Sequence, residues 1–260
     1  MNFFQRTLIR RILRRHAVST STWRQTVDRL TVFQGLSSVD KAHLRELCAL
    51  FLHEKNLVVA QGLHLTEAMR LTIAAFACLP VLHLGFQCLR GWTDVIVYPG
   101  AFRVSRNTVD DVGVVHHQEQ LLSGESWSRG PLIISWADVA RECREDQVGR
   151  NVVIHEIAHK LDVLNGSCNG YPPLHQAMSI PDWTETMAAA YGSLCRELEE
   201  GLHTRIDAYA ATSPAEFFAV ASEYFFCAPQ LLQSCYGEVF RQLELYYRQH
   251  PLLRQPVSQP

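Results

Sequence analysis

The sequence predicts an α+β fold in which helices precede and follow a small mixed β-sheet. Apolar residues recur at helical spacing over about 20–90 and again after residue 150. Between 91 and 136, short β-rich runs are separated by Pro, Gly, Asn and Asp, as in strands joined by turns. Helices and strands that are grouped along the chain, rather than alternating, are typical of the α+β class.

Three helices are expected in the N-terminal part of the chain. The first covers about 23–33 and ends at Gly35, and the second covers about 41–53. The third covers about 66–79, because proline lacks the N–H that a helix needs and Pro80 therefore ends or kinks it. These elements predict an N-terminal helical region over residues 1–90.

Strands and further helices are expected after this region. The strand candidates are WTDVIVYPG from position 92, FRVS from position 102, VGVVHH from position 112 and PLIISW over 131–136. A helix then runs to about position 164, with Asp146 or Asn151 as its N-cap and Asn165-Gly166 as its stop. Later helices are expected over about 182–200, 214–227 and 229–249. We therefore expect a second domain over 91–260, on which the helical region packs.

Composition narrows the classes of protein that fit this chain. A formal net charge of -2 gives no basic excess for binding nucleic acid directly. The eight cysteines include no C-x-x-C pair, and several lie in apolar runs, which favours reduced thiols in a cytoplasm over disulfides. The basic N-terminus lacks the continuous apolar stretch of a secretory signal. The sequence therefore predicts a soluble cytoplasmic protein.

The most apolar stretch of the chain, 71–89, does not predict a transmembrane segment. Pro80, His83 and Gln87 interrupt it, and a membrane span needs about 20 predominantly apolar residues. Buried helical structure is the better interpretation of this stretch.

The run VVIHEIAH, 152–159, contains an H-E-x-x-H motif within an apolar helical segment. Residues four apart lie on one face of a helix, so His155 and His159 can bind the same ion. Glu156, one position along, can reach a water that the metal activates without binding the metal itself. Two partly exposed histidines on a surface helix are the alternative, but burying such polar groups among apolar neighbours is costly without a partner. The motif therefore predicts a metal site.

A third ligand must come from outside this motif. The extended metzincin pattern is excluded, because Asp162 and Asn165 stand where that pattern has Gly and His. A carboxylate from a later helix is therefore expected, as in His₂Glu zinc sites. The candidates are Asp182, Glu185, Glu216 and Glu223.

Glu216 has two interpretations that spacing does not separate. The run Ser213-Pro214-Ala215-Glu216 has the form of a capping box, with Pro at the first helical position and Glu at the third. In that interpretation the carboxylate of Glu216 caps the helix rather than binding a metal. Capping and ligation both remain open on this evidence.

Several longer stretches together resemble the Mlc titration factor A family of bacterial zinc peptidases. They are HEIAHKLDVLNG, Tyr209 followed by SPAEFFAVASEYFF, QGLHLTEAMRLTIAAFACL, VIVYPGAF and SGESWSRGPLIISW. The resemblance covers roughly 20–250, and the motif region is also similar to the catalytic region of anthrax lethal factor. The resemblance implies a zincin-like domain with a gluzincin site.

The resemblance also implies a role for each site residue. His155, His159 and Glu216 would bind one Zn²⁺ per chain, and Glu156 would act as the general base. Tyr209 would donate a hydrogen bond to the tetrahedral oxyanion.

The segment after the motif helix carries less information. Asp162 is expected either to orient a ligating imidazole or to lie on the surface. The stretch 167–177 matches nothing that is firmly associated with the family.

The function implied by the resemblance is peptide-bond hydrolysis by a metal-activated water, with aminopeptidase activity linked to the regulation of sugar uptake. The implied partners are a peptide or protein substrate and a transcriptional repressor similar to Mlc, which responds to glucose. The alternative function is a regulatory protein that sequesters such a repressor without needing catalysis. A purely structural zinc site fits less well, since such sites usually have four protein ligands and rely on Cys.

Overall fold

The α+β class is confirmed in the computed structural model, which describes residues 11–13, 17–100, 102–109, 115–122, 124–126, 130–144 and 148–254. Residues 11–13 are helical. The α-helices that follow are α1 (Thr20–Thr26), α2 (Ser38–Glu54), α3 (Glu67–Cys78), α4 (Trp136–Glu142), α5 (Val152–Asp162), α6 (Ile180–Glu199), α7 (Pro214–Cys227), α8 (Pro229–Cys235) and α9 (Gly237–Tyr247). Short 3₁₀ helices cover Thr31–Phe33, Phe86–Leu89, Val163–Asn165, Ala208–Ala211 and Pro251–Leu253.

The described strands form one mixed sheet and one separate hairpin. The strands are β1 (Asn56–Val59), β2 (Asp94–Tyr98), β3 (Phe102–Val109), β4 (Val115–Leu122), β5 (Gly124–Ser126) and β6 (Leu132–Ser135). The sheet has the order β1-β2-β6-β5, in which β1, β2 and β6 are parallel and β5 pairs antiparallel with β6. β3 and β4 pair only with each other, as an antiparallel hairpin.

The N-terminal part contains a strand that the helical periodicity did not predict. β1 follows α2 almost directly and pairs with β2 in parallel, so one sheet includes residues from both sides of position 90. The run NLVV does not alternate between polar and apolar residues, so β1 is specified by its long-range pairing. The division of the chain into 1–90 and 91–260 stays a prediction.

Two predicted helices are shorter than expected. The helix expected over 23–33 is α1 followed by a separate 3₁₀ turn. The helix expected over 229–249 divides into α8 and α9 at Tyr236, whose backbone is not helical. Glycine is a weak helix former, and Gly237 lies next to this break.

α5 lies in the core, where it packs against α7, α3, β5 and β6. Its apolar side chains Val153, Ile154, Ile157, Ala158 and Leu161 are fully buried. α7 contributes a run of buried aromatic and small side chains to the same core. The core therefore holds α5 and α7 side by side, which fixes the polar groups that these helices carry between them.

The apolar stretch 71–89 belongs to this core rather than to a membrane span. α3 supplies its first part, and the side chains of that helix from Leu71 to Cys78 are buried within the protein. Among the described residues, no helix has both the length and the apolar character needed to cross a bilayer.

Candidate metal centre

α5 begins and ends as its sequence predicts. The side chain of Asn151 accepts a hydrogen bond from the backbone N–H of Ile154 at 3.0 Å, which makes Asn151 the N-cap. Asp146, the other candidate cap, lies outside the described residues. After α5 a 3₁₀ turn ends at Gly166, whose φ of 98° is the left-handed conformation expected of a helix stop.

Three donor atoms converge between α5 and α7. The Nε2 atoms of His155 and His159 are 3.1 Å apart, and the Oε2 atom of Glu216 lies 3.1 Å and 3.3 Å from them respectively. Ligands about 2.0–2.1 Å from a tetrahedral zinc ion are ~3.3 Å from one another, so this triangle fits the distances that one metal ion requires. The cluster is therefore compatible with a metal ion.

Glu216 takes part in both the cap and the cluster. The Oγ atom of Ser213 accepts a hydrogen bond from the backbone N–H of Glu216 at 3.2 Å, and Pro214 occupies the first turn of α7. The carboxylate of Glu216, however, faces the two imidazoles. Burial raises the pKa of this carboxyl, but its hydrogen bonds to His155 and His159 outweigh burial and hold the pKa far below its ordinary value.

The other carboxylate candidates occupy different positions. Asp182 and Glu185 are exposed on α6, outside the cluster. Glu223 is buried and contacts the opposite edge of one imidazole: its carboxylate lies 2.7 Å from Nδ1 of His155 and accepts the backbone N–H of Asn151 at 2.6 Å. Glu223 therefore orients the imidazole of His155 through the ring nitrogen that faces away from the cluster.

His155 has carboxylates at both ring nitrogens. Burial lowers the pKa of this imidazole, but the charge of Glu223 and the hydrogen bonds to Glu216 and Glu223 outweigh burial and raise the pKa well above its ordinary value.

Glu142 is a partly buried acid of this region that the sequence did not indicate. Its Oε2 atom accepts the backbone N–H of Val152 at 2.7 Å, at the first residue of α5. Burial, assisted by the nearby charge of Glu223, raises its pKa to about 7. Only the tertiary packing brings the end of α4 to this position, so no local motif marks it.

On the far side of His159 lie Cys168 and Asp162. The Sγ atom of Cys168 is 3.6 Å from Nδ1 of His159, and the thiol also interacts with the carboxylate of Asp162. Asp162 is 0% exposed and accepts the backbone N–H of Gly170 at 2.7 Å, so the expectation of a surface carboxylate is wrong. Cys168 belongs to the stretch 167–177 that matched no motif, and sequence reasoning missed it.

Cys168 is an exposed residue, but its thiol is partly covered, and this favours the protonated form. Burial and the charge of Asp162 raise its pKa to about 12. A protonated thiol can donate to the carboxylate while its sulfur accepts from the imidazole. Cys168 therefore lies between Asp162 and His159 as a bridge.

Glu156 and Tyr209 lie next to the cluster. Glu156 is 2% exposed on α5, directly after His155. The ring of Tyr209 is centred 6.2 Å from the ring of His155, and this side chain is 46% exposed. Asp207 accepts the backbone N–H of Tyr209 and pairs with Arg150 beside the start of α5, which anchors the tyrosine turn next to the cluster.

The chain is similar to one metallopeptidase family, and to several named relatives, over nearly its whole length. The family model described as glucose-regulated metallo-peptidase M90 matches residues 4–248. A Klebsiella pneumoniae protein named Mlc titration factor A is 40% identical over 234 residues, covering 89% of this chain and 87% of the relative. A protein of the same name from Cronobacter sakazakii is 40% identical over 227 residues, covering 86% of this chain and 85% of the relative. Another from Escherichia coli is 37% identical over 235 residues, covering 89% of this chain and 87% of the relative.

Proposed function

The chain belongs to the glucose-regulated metallo-peptidase M90 family, and on that premise we propose that it is a zinc-dependent peptidase. The observation that carries this proposal is the convergence of His155 Nε2, His159 Nε2 and Glu216 Oε2 within 3.3 Å of one another. Two imidazoles and one carboxylate are the donor set of catalytic zinc sites, which leave a position open. A structural zinc site would need a fourth protein ligand, and the cluster in the described residues contains three.

His155, His159 and Glu216 would hold one zinc ion per chain. When bound, the ion supplies a Lewis acid that polarises the peptide carbonyl and makes water more acidic. The residues around the ligands fix their orientation, since Glu223 accepts from Nδ1 of His155 and thereby keeps the Nε2 lone pair directed at the centre.

Glu156 would act as the general base. Its carboxylate is buried beside His155 and does not belong to the group of possible ligands. In this role it takes a proton from the water that attacks the peptide carbonyl and passes it to the leaving amine. Its seclusion from bulk water supports that role, because proton transfer then takes place within a closed site.

Tyr209 would stabilise the negative charge that develops on the carbonyl oxygen. Its position beside His155, on an exposed turn fixed by Asp207, is suited to a donor that meets substrate from the solvent side. A hydrogen bond from the phenol to the oxyanion would be made only as the tetrahedral species forms.

The decisive comparison is wild type against Glu156→Gln, with Glu185→Gln as a matched control on the exposed surface of α6. We expect about one zinc per chain in all three proteins. Peptide hydrolysis should fall by at least ~100-fold in Glu156→Gln alone, because general-base catalysis contributes 10²–10⁴-fold. Substantial hydrolysis by Glu156→Gln would refute the assigned mechanism, and a wild type without zinc would refute the centre itself.

The resemblance further supports an aminopeptidase. Matched peptides with free and acetylated N-termini test this specificity. We expect cleavage of the first peptide bond only when the amino group is free. Equal cleavage of the acetylated peptide would identify an endopeptidase instead.

A zincin-like fold and a cytoplasmic location are part of the same proposal. The packing of the motif helix α5 between the mixed sheet and α7 supports the fold. The eight cysteines are free thiols, which is typical of a reducing compartment.

The alternative function is the sequestration of a transcriptional repressor. The relatives bear the name Mlc titration factor A, and this name favours a repressor similar to Mlc as a partner. Calorimetric titration of such a repressor into wild type and Glu156→Gln tests it. Equal affinities are expected if binding is independent of catalysis, whereas loss of binding in Glu156→Gln would contradict independent roles.

A further inference from the structure

An apolar pocket lies between the loop that follows α5 and the helices α6 and α7. Its volume is about 190 Å³. Trp183, Met187 and Phe217 form its floor, and their side chains are buried. The exposed residues Thr184 and Ala188 lie at its rim on α6.

Two residues that line the pocket are close in sequence to groups in or against the candidate metal centre. Asn169 lines the pocket and directly follows Cys168, whose sulfur lies 3.6 Å from Nδ1 of His159. Pro214 lines the pocket two residues before Glu216 on α7. Consecutive Cα atoms are ~3.8 Å apart. The backbone of Asn169 is therefore one such step from Cys168, and the backbone of Pro214 is two steps from Glu216. These distances are about the reach of a side chain on the residue next to a peptide bond held at the centre.

The surface of the pocket is apolar. Among the described residues that line it, none is charged. Two of its polar groups are engaged within the protein: the indole N–H of Trp183 donates to the carbonyl of Gly170 at 3.3 Å, and the hydroxyl of Tyr191 donates to the carbonyl of Ala211 at 3.1 Å. A charged side chain would lose its hydration here without gaining a partner, whereas an apolar side chain would not.

The wall next to the metal centre is fixed in position. Gly170 has a φ of +76°, and a Cβ atom there would lie 2.5 Å from the carbonyl oxygen of Pro214. The loop therefore packs directly on the start of α7. The backbone N–H of Gly170 donates a hydrogen bond to the carboxylate of Asp162. A pocket that is already formed needs little rearrangement when a ligand enters it.

The size of the pocket suits one side chain. Sites for whole small-molecule ligands have volumes of roughly 300–1,000 Å³, which this pocket does not reach. We propose that it is a substrate subsite for one large apolar side chain, of the Leu, Met or Phe class, on a residue next to the scissile bond. This inference rests on the proposed peptidase function and adds the class of substrate to it.

Ala188→Trp tests the subsite by filling its mouth, and Ala189→Trp is the matched control. Ala188 and Ala189 are exposed neighbours on α6, but only Ala188 lines the pocket. Peptides that differ by Ala or Leu at one position on either side of the cleaved bond are compared by kcat/KM. At one of these positions we expect wild type to prefer Leu by at least ~10-fold, since a single methylene in an apolar pocket is worth 10–200-fold.

In Ala188→Trp this preference should disappear, through loss of kcat/KM on the Leu peptide alone. Ala189→Trp should retain the preference. A wild type indifferent to side-chain size, or an Ala188→Trp variant that loses activity equally on both peptides, would overturn the subsite while leaving the peptidase intact.

A binding measurement separates failure of the subsite from failure of the peptidase. The same peptides are titrated into Glu156→Gln, with and without Ala188→Trp, by calorimetry. Tighter binding of the Leu peptide that Ala188→Trp abolishes would support the pocket even if no peptide is hydrolysed. Equal binding of both peptides without hydrolysis would overturn both proposals.

Discussion

Glu223→Gln probes how firmly the structure orients a histidine of the candidate metal centre. Two donors converge on the carboxylate of Glu223, namely Nδ1 of His155 at 2.7 Å and the backbone N–H of Asn151 at 2.6 Å. Glutamine has nearly the same shape but offers only one acceptor oxygen, so its amide NH₂ must face one of these donors. One buried N–H then lacks a partner, which costs about 1–3 kcal/mol.

This loss should appear first in metal affinity. Removing the group that orients a ligating histidine typically weakens metal binding 10–100-fold, and each factor of ten corresponds to about 1.4 kcal/mol. The zinc Kd of wild type and Glu223→Gln is measured by competition with a chromophoric chelator at one fixed pH. We expect a 10–100-fold weaker Kd, with hydrolysis largely restored at saturating zinc.

Glu185→Gln is the control, because it makes the same chemical change at an exposed position on α6. Its zinc Kd should match that of wild type. An unchanged Kd in Glu223→Gln would refute the reasoning, since the contact with His155 would then have no influence on the centre. Thermal unfolding of both metal-free variants establishes that any change in Kd is measured on a folded protein.

Three further predictions concern neighbouring groups. Cys168→Val should weaken zinc binding by about tenfold, because it removes the bridge to His159. Cys168→Ser should largely retain the zinc affinity of wild type. Competition with a chelator measures both zinc Kd values, and equal values would contradict the bridge. The pKa of Glu142 is about 7 in the folded protein, against an ordinary value of 4.5. Its ionisation therefore opposes folding, and the free energy of unfolding of the metal-free protein should fall by about 3 kcal/mol as pH rises from 4.5 to 7. Denaturant unfolding of Glu142→Gln should therefore show a stability gain over wild type that grows between pH 4.5 and 7, and a gain independent of pH would be evidence against this assignment. Gly170→Ala should lower the free energy of unfolding by over 1 kcal/mol more than Gly166→Ala does, because both glycines have a positive φ but only Gly170 contacts Pro214. Equal melting temperatures of the two variants would contradict that contact.

The sequence predicts the local parts of the centre well. The spacing of His155 and His159 places both imidazoles on one face of α5, and the caps at Asn151 and Ser213 form as expected. Local signals are sufficient here because each depends on residues within one turn of a helix. The α+β class follows in the same way from helical and strand periodicities.

Spacing alone did not separate the roles of Glu216 and Glu223. They are seven residues apart, so they share a face of α7 with their Cα atoms ~10 Å apart along the helix axis. The structure resolves the ambiguity through the ring of His155, which receives Glu216 at Nε2 and Glu223 at Nδ1. Two carboxylates that look equivalent in sequence thus contact opposite edges of one imidazole.

The groups that sequence reasoning missed are all brought in by tertiary packing. Glu142 reaches α5 from the end of another helix, and Cys168 reaches His159 from a loop with no recognisable motif. The apolar pocket likewise combines a loop with two helices distant in sequence. Periodicity carries no information about such contacts, because each partner has an ordinary local conformation.

The three acceptor atoms at the centre can lie this close together only if a positive charge offsets their mutual repulsion. Two imidazole Nε2 atoms and a carboxylate oxygen within 3.3 Å of one another repel unless a positive charge lies among them. A proton on His155 meets this need, and the carboxylates around that imidazole raise its pKa. A metal ion meets the same need with a larger charge. Protons and metal therefore compete for one position, and the carboxylates that hold the ligands in place also increase the competition from protons.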